Sequence, residues 1–339
     1  MRTRDWLVVV MGVGGMGVAG SALASAIPGD AAGYNVFIFD HGNFVSQNTD
    51  TMGNLAAGGN VSLMNYAVAQ GIAGNPSANP NPARLVVGGT LTAQNGGVGS
   101  NQAGSIYTNS TPSLTGFTAT GGVHAQNVIS SFASDATTYT NLSTSLSTLA
   151  ANGTAVLGSG NTLTITATSS GLNVVDLTGA TLTQSQTIDI NAPTGSTVLL
   201  NVSGASGTFQ NGQVFETGVT GAAVLYNFFQ ATSVNLSTKD PMGTVLAPLA
   251  GVIGSNGQMH GQLIADSYGG SALNDGTDTT QFDNLQFTGV IPTPLPASTW
   301  LLISALGGLG LFACATRSGA LQIRPAAASM IADHTLMRP

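Results

Sequence analysis

The chain has 339 residues, enough for one large domain or two ordinary ones with a sizeable apolar core. Only 6% of them are Asp, Glu, Lys or Arg, against roughly a quarter in an average soluble domain, and Lys239 and Glu216 are the sole lysine and the sole glutamate. With 14 acids against 7 bases and a formal charge of -7, no basic stripe exists to neutralise phosphates, which excludes nucleic acid as a partner; the single cysteine, Cys314, excludes internal disulfides.

The N-terminus, "MRTRDWLVVVMGVGGMGVAGSALASAIPG", carries Arg2 and Arg4, an apolar run from Trp6 to Val18, and then small residues. Ala22-Leu23-Ala24 and Ala24-Ser25-Ala26 both have the A-x-A form that signal peptidase cuts, so residues 1–26 are expected to be a secretory leader handled by the Sec machinery and removed after Ala24 or Ala26. "GVGGMG" at 12–17 mimics a dinucleotide-binding glycine pattern, but no strand-turn-helix unit or later ribose acid surrounds it. These glycines belong to the export signal.

From residue 27 to 290 the chain reads as one folded unit. In "YNVFIFD", 34–40, apolar side chains fall on both parities, as a strand buried on both faces requires. "NLAAGG", "NVSLMNYAV" and "RLVVGGTLT" follow as short strand-like pieces bounded by Gly or Asn, the residues that tolerate left-handed backbone at sharp turns. The polar stretch "GGVGSNQAGSIYTNSTPS", 96–113, reads as a loop. From about Ala125 to Ala151, Val128, Ile129, Phe132, Ala136, Tyr139, Leu142, Leu146 and Leu149 recur every three or four residues, which predicts an amphipathic helix stopped by Asn152-Gly153. Its many Ser and Thr give poor intrinsic propensity, so packing must hold it. Strand grammar returns in "TAVLGSGNTLTITATSSGLNVVDLTGATL" and "STVLLNVSG" and becomes nearly periodic at 244–265, where "VLA" and "LIA" lie about eighteen residues apart, as one coil of a β-solenoid would place them.

Chemistry-bearing residues are sparse. Asp40-His41 and His260 could meet in space but make a weak metal set, and His124 is expected to precede or cap the helix. "NDGTDTTQFDN" gathers Asp275, Asp278 and Asp283, oxygen donors that could hold calcium, although the spacing fits neither an EF-hand nor a repeated glycine-aspartate nonapeptide; an ordinary polar turn is the better reading. No G-x-S-x-G elbow appears, and Asp240 and Asp266 are the only acids left to serve as a hydrolase pair, neither in a motif. No cofactor and no catalysis are expected.

Near the other end, "IPTPLPASTWLLISALGGLGLFACATR", 291–317, is apolar or small from Trp300 to Ala315, reaches about eighteen residues with its flanks, and is followed by Arg317 on the side the positive-inside rule keeps in the cytoplasm. A transmembrane helix in 291–318 with a cytoplasmic tail at 319–339 is the expectation. The segment resembles a PEP-CTERM sorting signal in its Pro-Leu-Pro-Ala form, here Pro294, Leu295, Pro296 and Ala297, with Trp300 and Arg317 completing it. It departs from that pattern in having one Arg rather than a cluster and in running on past it. The resemblance implies recognition by an exosortase-type membrane protease of a Gram-negative bacterium.

The blocks "YNVFIFDHGNF", "DTMGNLAAGGNVSLMNYAV", "AVLYNFFQATSVNLS", "GTVLAPLAGVIGSNGQMHGQLIADSYGG" and "FDNLQFTG" resemble the choice-of-anchor A family over nearly all of the exported part. That resemblance implies a mainly β fold, a right-handed β-helix or solenoid with one long amphipathic helix packed alongside, in a bacterial surface adhesin that meets extracellular polysaccharide or other cells. The same plan is similar to that of bacterial ice-binding proteins, which leaves a lattice-binding alternative whose mark would be regular outward ranks of threonine. A polysaccharide-degrading enzyme would need clustered acids or arginines, and they are scarce.

Overall fold

The computed structural model describes residues 24–292, apart from 40, 73–81, 100–103, 127, 271–272 and 274–277. By its internal contacts the chain divides into two units, Met1–Pro294 and Leu295–Pro339, and every described residue belongs to the first. The fold is mainly β. Its largest ladder runs, neighbour to neighbour, through Leu172–Thr178, Thr197–Ser203, Val224–Asn227, Thr244–Ile253, Leu263–Tyr268, Val36–Ile38, Leu55–Ala57, Ala83–Val87, Ser105–Thr108 and Val123–His124, with every pairing parallel. The eighteen-residue spacing of "VLA" and "LIA" is one step of this ladder: Val245, Leu246 and Ala247 face Leu263, Ile264 and Ala265.

Order in the ladder is not order in the chain. The N-terminal strand Val36–Ile38 lies in the middle, against Leu263–Tyr268, and the strands after it build towards one end. After Val123–His124 the chain re-enters at the opposite end, at Leu172–Thr178, and builds back to the middle. That crossing passes nine inter-strand steps of ~4.8 Å, about 43 Å in all, and helix α1, Phe132–Ser147, spans ~24 Å of it with its 16 residues.

Both faces of the ladder are buried, as the two-parity pattern of "YNVFIFD" requires. Val36, Ile38, Leu55, Ala57, Leu85 and Val87 enter the main core, while Phe37, Ala56, Val86, Leu199, Leu225, Leu246 and Ile264 form a second cluster with Phe132, Tyr139, Leu142 and Leu146 of α1. Phe37 and Phe132 rings lie 5.4 Å apart, and Phe39 stacks on Tyr139 at 6.0 Å. The Tyr139 hydroxyl donates to the Pro28 carbonyl at 2.6 Å and accepts from Ala31 N–H at 2.9 Å. Asn227 donates to Ser143 O and to Asn201 Oδ1, and Asn201 donates to Leu146 O, so a buried amide pair ties the helix backbone to the sheet.

The helix is shorter than its pattern suggests. It begins at Phe132, where the Ser131 hydroxyl accepts from Ser134 N–H, and Thr148 caps its other end. Val128 is exposed, and Asn152 closes the outer edge of the ladder instead of stopping the helix. Its side chain accepts from Val174 N–H at 2.6 Å and donates to Leu172 O at 3.1 Å. The stretch 96–113 is not all loop either. Ser105–Thr108 is a fully buried strand whose period-2 pattern is hidden because both of its faces are covered. His124 does not cap the helix; it ends the strand Val123–His124 and stacks on Tyr107 at 4.6 Å.

Left-handed corners, between strands and within them, fall mostly at Asn and Gly as their abundance suggests. Asn48, Asn65 and Asn95 all have left-handed backbone, φ 54°, 49° and 54°, and their amides form a ladder, Asn65 donating to Asn48 at 2.8 Å and Asn95 to Asn65 at 3.2 Å. The corresponding position of the next strand, Ser113–Ala119, is Gly116, φ 65°. Beside it Gly96 is obligatory, because a Cβ there would stand 1.9 Å from Tyr66 O.

A separate four-stranded sheet holds Thr154–Leu157, Thr162–Thr166, Thr187–Asn191 and Gln213–Thr217. The first pair is an antiparallel hairpin and the other pairings are parallel. A short helix α2, Gly179–Gln184, capped by the Thr178 hydroxyl, is not evident in the strand-like pattern around it. Among the described residues no helix is long and apolar enough to cross a membrane, and the run Trp300–Ala315 lies outside them.

Candidate functional site

The alternation in "TLTIT", "TIDIN" and "QVFET" sets one parity of the four-stranded sheet inward. Leu163, Ile165, Ile188 and Ile190 are buried, which leaves Thr162, Thr164 and Thr166, then Thr187, Asp189 and Asn191, then Gln213, Phe215 and Thr217 facing outward. Register aligns them across the strands as Thr162–Thr187–Gln213, Thr164–Asp189–Phe215 and Thr166–Asn191–Thr217. Side chains on this face repeat at ~6.6 Å along a strand and ~4.8 Å across strands. Of the four strands only Thr162–Thr166 presents threonine at every outward position; Thr154–Leu157 presents Thr154 and Val156. Asp189 and Phe215 interrupt the middle rank, and Phe215 keeps 52% of its surface exposed.

The ladder stops at Gln213–Thr217. The next segment is set alongside by Thr238, whose hydroxyl accepts from Asn211 N–H at 2.9 Å, and it pairs onward through Met242 and His260. Where the pairing is interrupted an open cleft of about 260 Å³ forms, lined by Gly212, Gln213, Val214, Phe215, Asp240, Met242 and His260. His260 Nδ1 lies 2.5 Å from Asp283 Oδ2, and Asp240 Oδ1 accepts from Gln258 N–H at 2.7 Å. Beyond the cleft the polar stripe continues as Gln258 donating to Gln281 at 2.8 Å, and Gln281 bonds Asp50, whose carboxyl is raised by burial and by the neighbouring Asp283 charge.

Charge on this surface is one-sided. Among the described residues the permanent cations are Arg84 and Lys239. Lys239 is next to Asp240 in sequence yet fully buried, its ammonium given to Ser185 O and Oγ and lowered by burial to about 8. Arg84 donates to Asn54.

The residues singled out in the sequence fall as follows. Asp278 is buried, its carbonyl accepting from the Ser46 hydroxyl at 2.9 Å and its carboxylate from Gln47 at 3.1 Å, whereas Asp283 holds His260. Asp275 lies outside the described residues. His41 is exposed at a turn, and Asp40 is outside the described residues. No group of three or more His, Cys, Asp or Glu able to hold a metal is assembled among the described residues. Asp240 lines the cleft, while Asp266 is a half-buried residue of Leu263–Tyr268. Ala24 sits in the short strand Ala24–Ser25, antiparallel to Ile291–Pro292; Ala26 follows it half-buried. Pro294, Leu295, Pro296, Ala297, Trp300 and Arg317 lie outside the described residues. Phe215 was not anticipated; its signal was the alternation of "QVFET", which sets Phe on the parity of Gln213 and Thr217.

Residues 27–275 match the family model described as "Putative Ice-binding-like adhesive domain". The chain belongs to this adhesive-domain family. Among curated proteins none matches it. Among solved structures it is similar to one described as "Crystal structure of an ice binding protein from an Antarctic Biological Consortium", at 12% identity and a TM-score of 0.28, covering 79% of this chain and 92% of that one. So loose a superposition leaves the architecture to be read from this chain's own ladders.

Proposed function

We propose that the chain is an exported, non-catalytic bacterial surface or matrix protein of choice-of-anchor A type. Residues 27–290 would form its adhesive domain, a right-handed β-solenoid, after removal of 1–26, and an exosortase-type protease would read Pro294-Leu295-Pro296-Ala297 in a PEP-CTERM-like segment, 291–318. Membership of the adhesive-domain family supports the reading. The observation that carries it is the exposed four-stranded sheet with its hydroxyl, amide and aromatic side chains. Such a surface exchanges hydrogen bonds with a polar polymer without needing ion pairs. Extracellular polysaccharide or other cells are the proposed partners.

Expressed whole in an exosortase-containing host, the chain should yield a product that begins at Ser25 or Ile27 and is cut near Pro294. That product should appear outside the inner membrane and make the cells adhere. Intact mass, cell fractionation and an adhesion assay read these outcomes. A non-adherent product retained in the inner membrane, or release of sugar from polysaccharide by the purified chain, would overturn the reading.

Thr162, Thr164 and Thr166 favour a second reading, binding to ice. Asp189 and Phe215 in the adjoining strands break the regular repeat that lattice matching needs, so adhesion is the stronger of the two.

A further inference from the structure

We infer that the cleft between Gln213–Thr217 and Asp240–Met242 binds a single uncharged pyranose ring within a longer polysaccharide. The inference rests on the adhesive reading and gives it a site and a ligand class. Phe215 stands at the rim about half exposed, the aromatic plate on a sheet face whose other exposed large apolar side chain is Val156, two strands beyond Asp189. A sugar ring carries one apolar C–H face and an equatorial belt of hydroxyls, so it can lie on such a plate and direct its hydroxyls sideways. The same cleft is lined by Asp240, Gln213 and His260, whose carboxylate, amide and imidazole supply polar atoms for those hydroxyls.

These groups are held ready. Asp240 is oriented by Gln258 N–H, and His260 is oriented by Asp283 through Nδ1, which leaves Nε2 as the ring's remaining polar atom. The cleft, about 260 Å³, falls below the ~300–1,000 Å³ of pockets that enclose a whole small ligand. It suits one unit of a chain whose neighbours run over the surface. The rank Thr164–Asp189–Phe215 leads into it from one side and the Gln258–Gln281 pair continues from the other, a polar track at right angles to the strands.

Charge decides against anionic polymers. Asp189, Asp240 and Asp283 lie on or beside the track, Lys239 is buried on Ser185, and among the described residues no permanent cation lines the cleft. A uronic-acid chain would bring carboxylates to carboxylates.

The test is retention of the purified full chain, in native gels containing polysaccharide and on a glycan array. The probes are uncharged glucans and galactomannans, with polyuronate as the anionic comparison. The expected result is binding to at least one uncharged glycan and none to polyuronate, with F215A weakening it about tenfold or more and D240N and H260A severalfold. Thr92→Ala, on another exposed strand, should leave it unchanged. Phe215 is exposed enough that F215A should keep the wild-type melting temperature, which separates lost binding from lost fold. If the wild-type chain adheres to cells yet binds no uncharged glycan, or binds one with F215A and D240N as strong as wild type, the site is refuted and the adhesive reading survives. Preference for polyuronate would refute the ligand class. A folded wild-type chain that binds neither glycan nor cells would refute both.

Discussion

At the scale of single residues, Glu216 is the clearest departure from pattern. It occupies the inward parity of "QVFET", directly across from buried Ile190. Burial pushes its carboxyl up from an ordinary 4.5 to about 7, partly opposed by a hydrogen bond from the Gly221 backbone. Nearby Tyr226, fully buried, is raised by burial and by the Glu216 charge. A carboxyl with a raised folded pKa holds its proton after the unfolded chain has lost its own, so what protonated Glu216 contributes to stability is fully present below about 4.5 and is lost as pH rises through about 7. Asp135 is raised to about 6 by burial and by Asp30, and it acts in the same direction. The difference between wild type and E216Q isolates Glu216. Melting temperatures across pH 4 to 8 should show E216Q gaining on wild type between about 4.5 and 7 and holding that gain above it; parallel profiles would refute the assignment. Residue identity made the Asn and Gly corners legible, as Asn48, Asn65 and Asn95 show. It could not announce a half-buried carboxyl on the inward face, because one acid in an alternating run reads equally well on either face.

At the scale of elements, helix α1 separates what periodicity tells from what it does not. The repeat from Val128 to Leu149 pointed to an amphipathic helix, yet hydrogen bonding confines the helix to Phe132–Ser147. Beyond those ends the repeat is kept in part without helical backbone: Val128 is exposed, Ile129 is buried in the same cluster as the helix, and Leu149 packs against that cluster from the turn after the last helical residue. Leu142 is buried against the sheet. Leu142→Ala should therefore cost about 2–5 kcal/mol, while Val128→Ala should stay within about 0.5 kcal/mol, both read from chemical denaturation. Equal costs would place the helix boundary elsewhere. The strand Ser105–Thr108 teaches the converse. Its four residues are wholly buried, although "GSIYTNS" has the composition of a loop, because a short strand covered on both faces leaves no alternation to read.

At the scale of the whole molecule, the strand order interlocks the two parts of the chain. Val36–Ile38 is hydrogen-bonded on one side to Leu55–Ala57 and on the other to Leu263–Tyr268. Opening that junction exposes both, so native-state hydrogen exchange should give the amides of Val36–Ile38 and Leu263–Ala265 a common opening free energy. Exchange from the N-terminal strand at a much lower cost would mean that the first third opens independently. Composition and local pattern determined by themselves that the chain is strand-rich and charge-poor, turns at Asn and Gly, and packs a helix on one face. These follow from nearest-neighbour sterics and from the period of apolar residues, both written locally. Only the tertiary structure decided that the ladder starts in the middle of the stack, that the Thr154–Thr166 hairpin runs antiparallel, and that Phe215, Asp240 and His260 share a cleft. A parallel strand's partner is selected by core packing between segments far apart in sequence, and no local pattern records that choice.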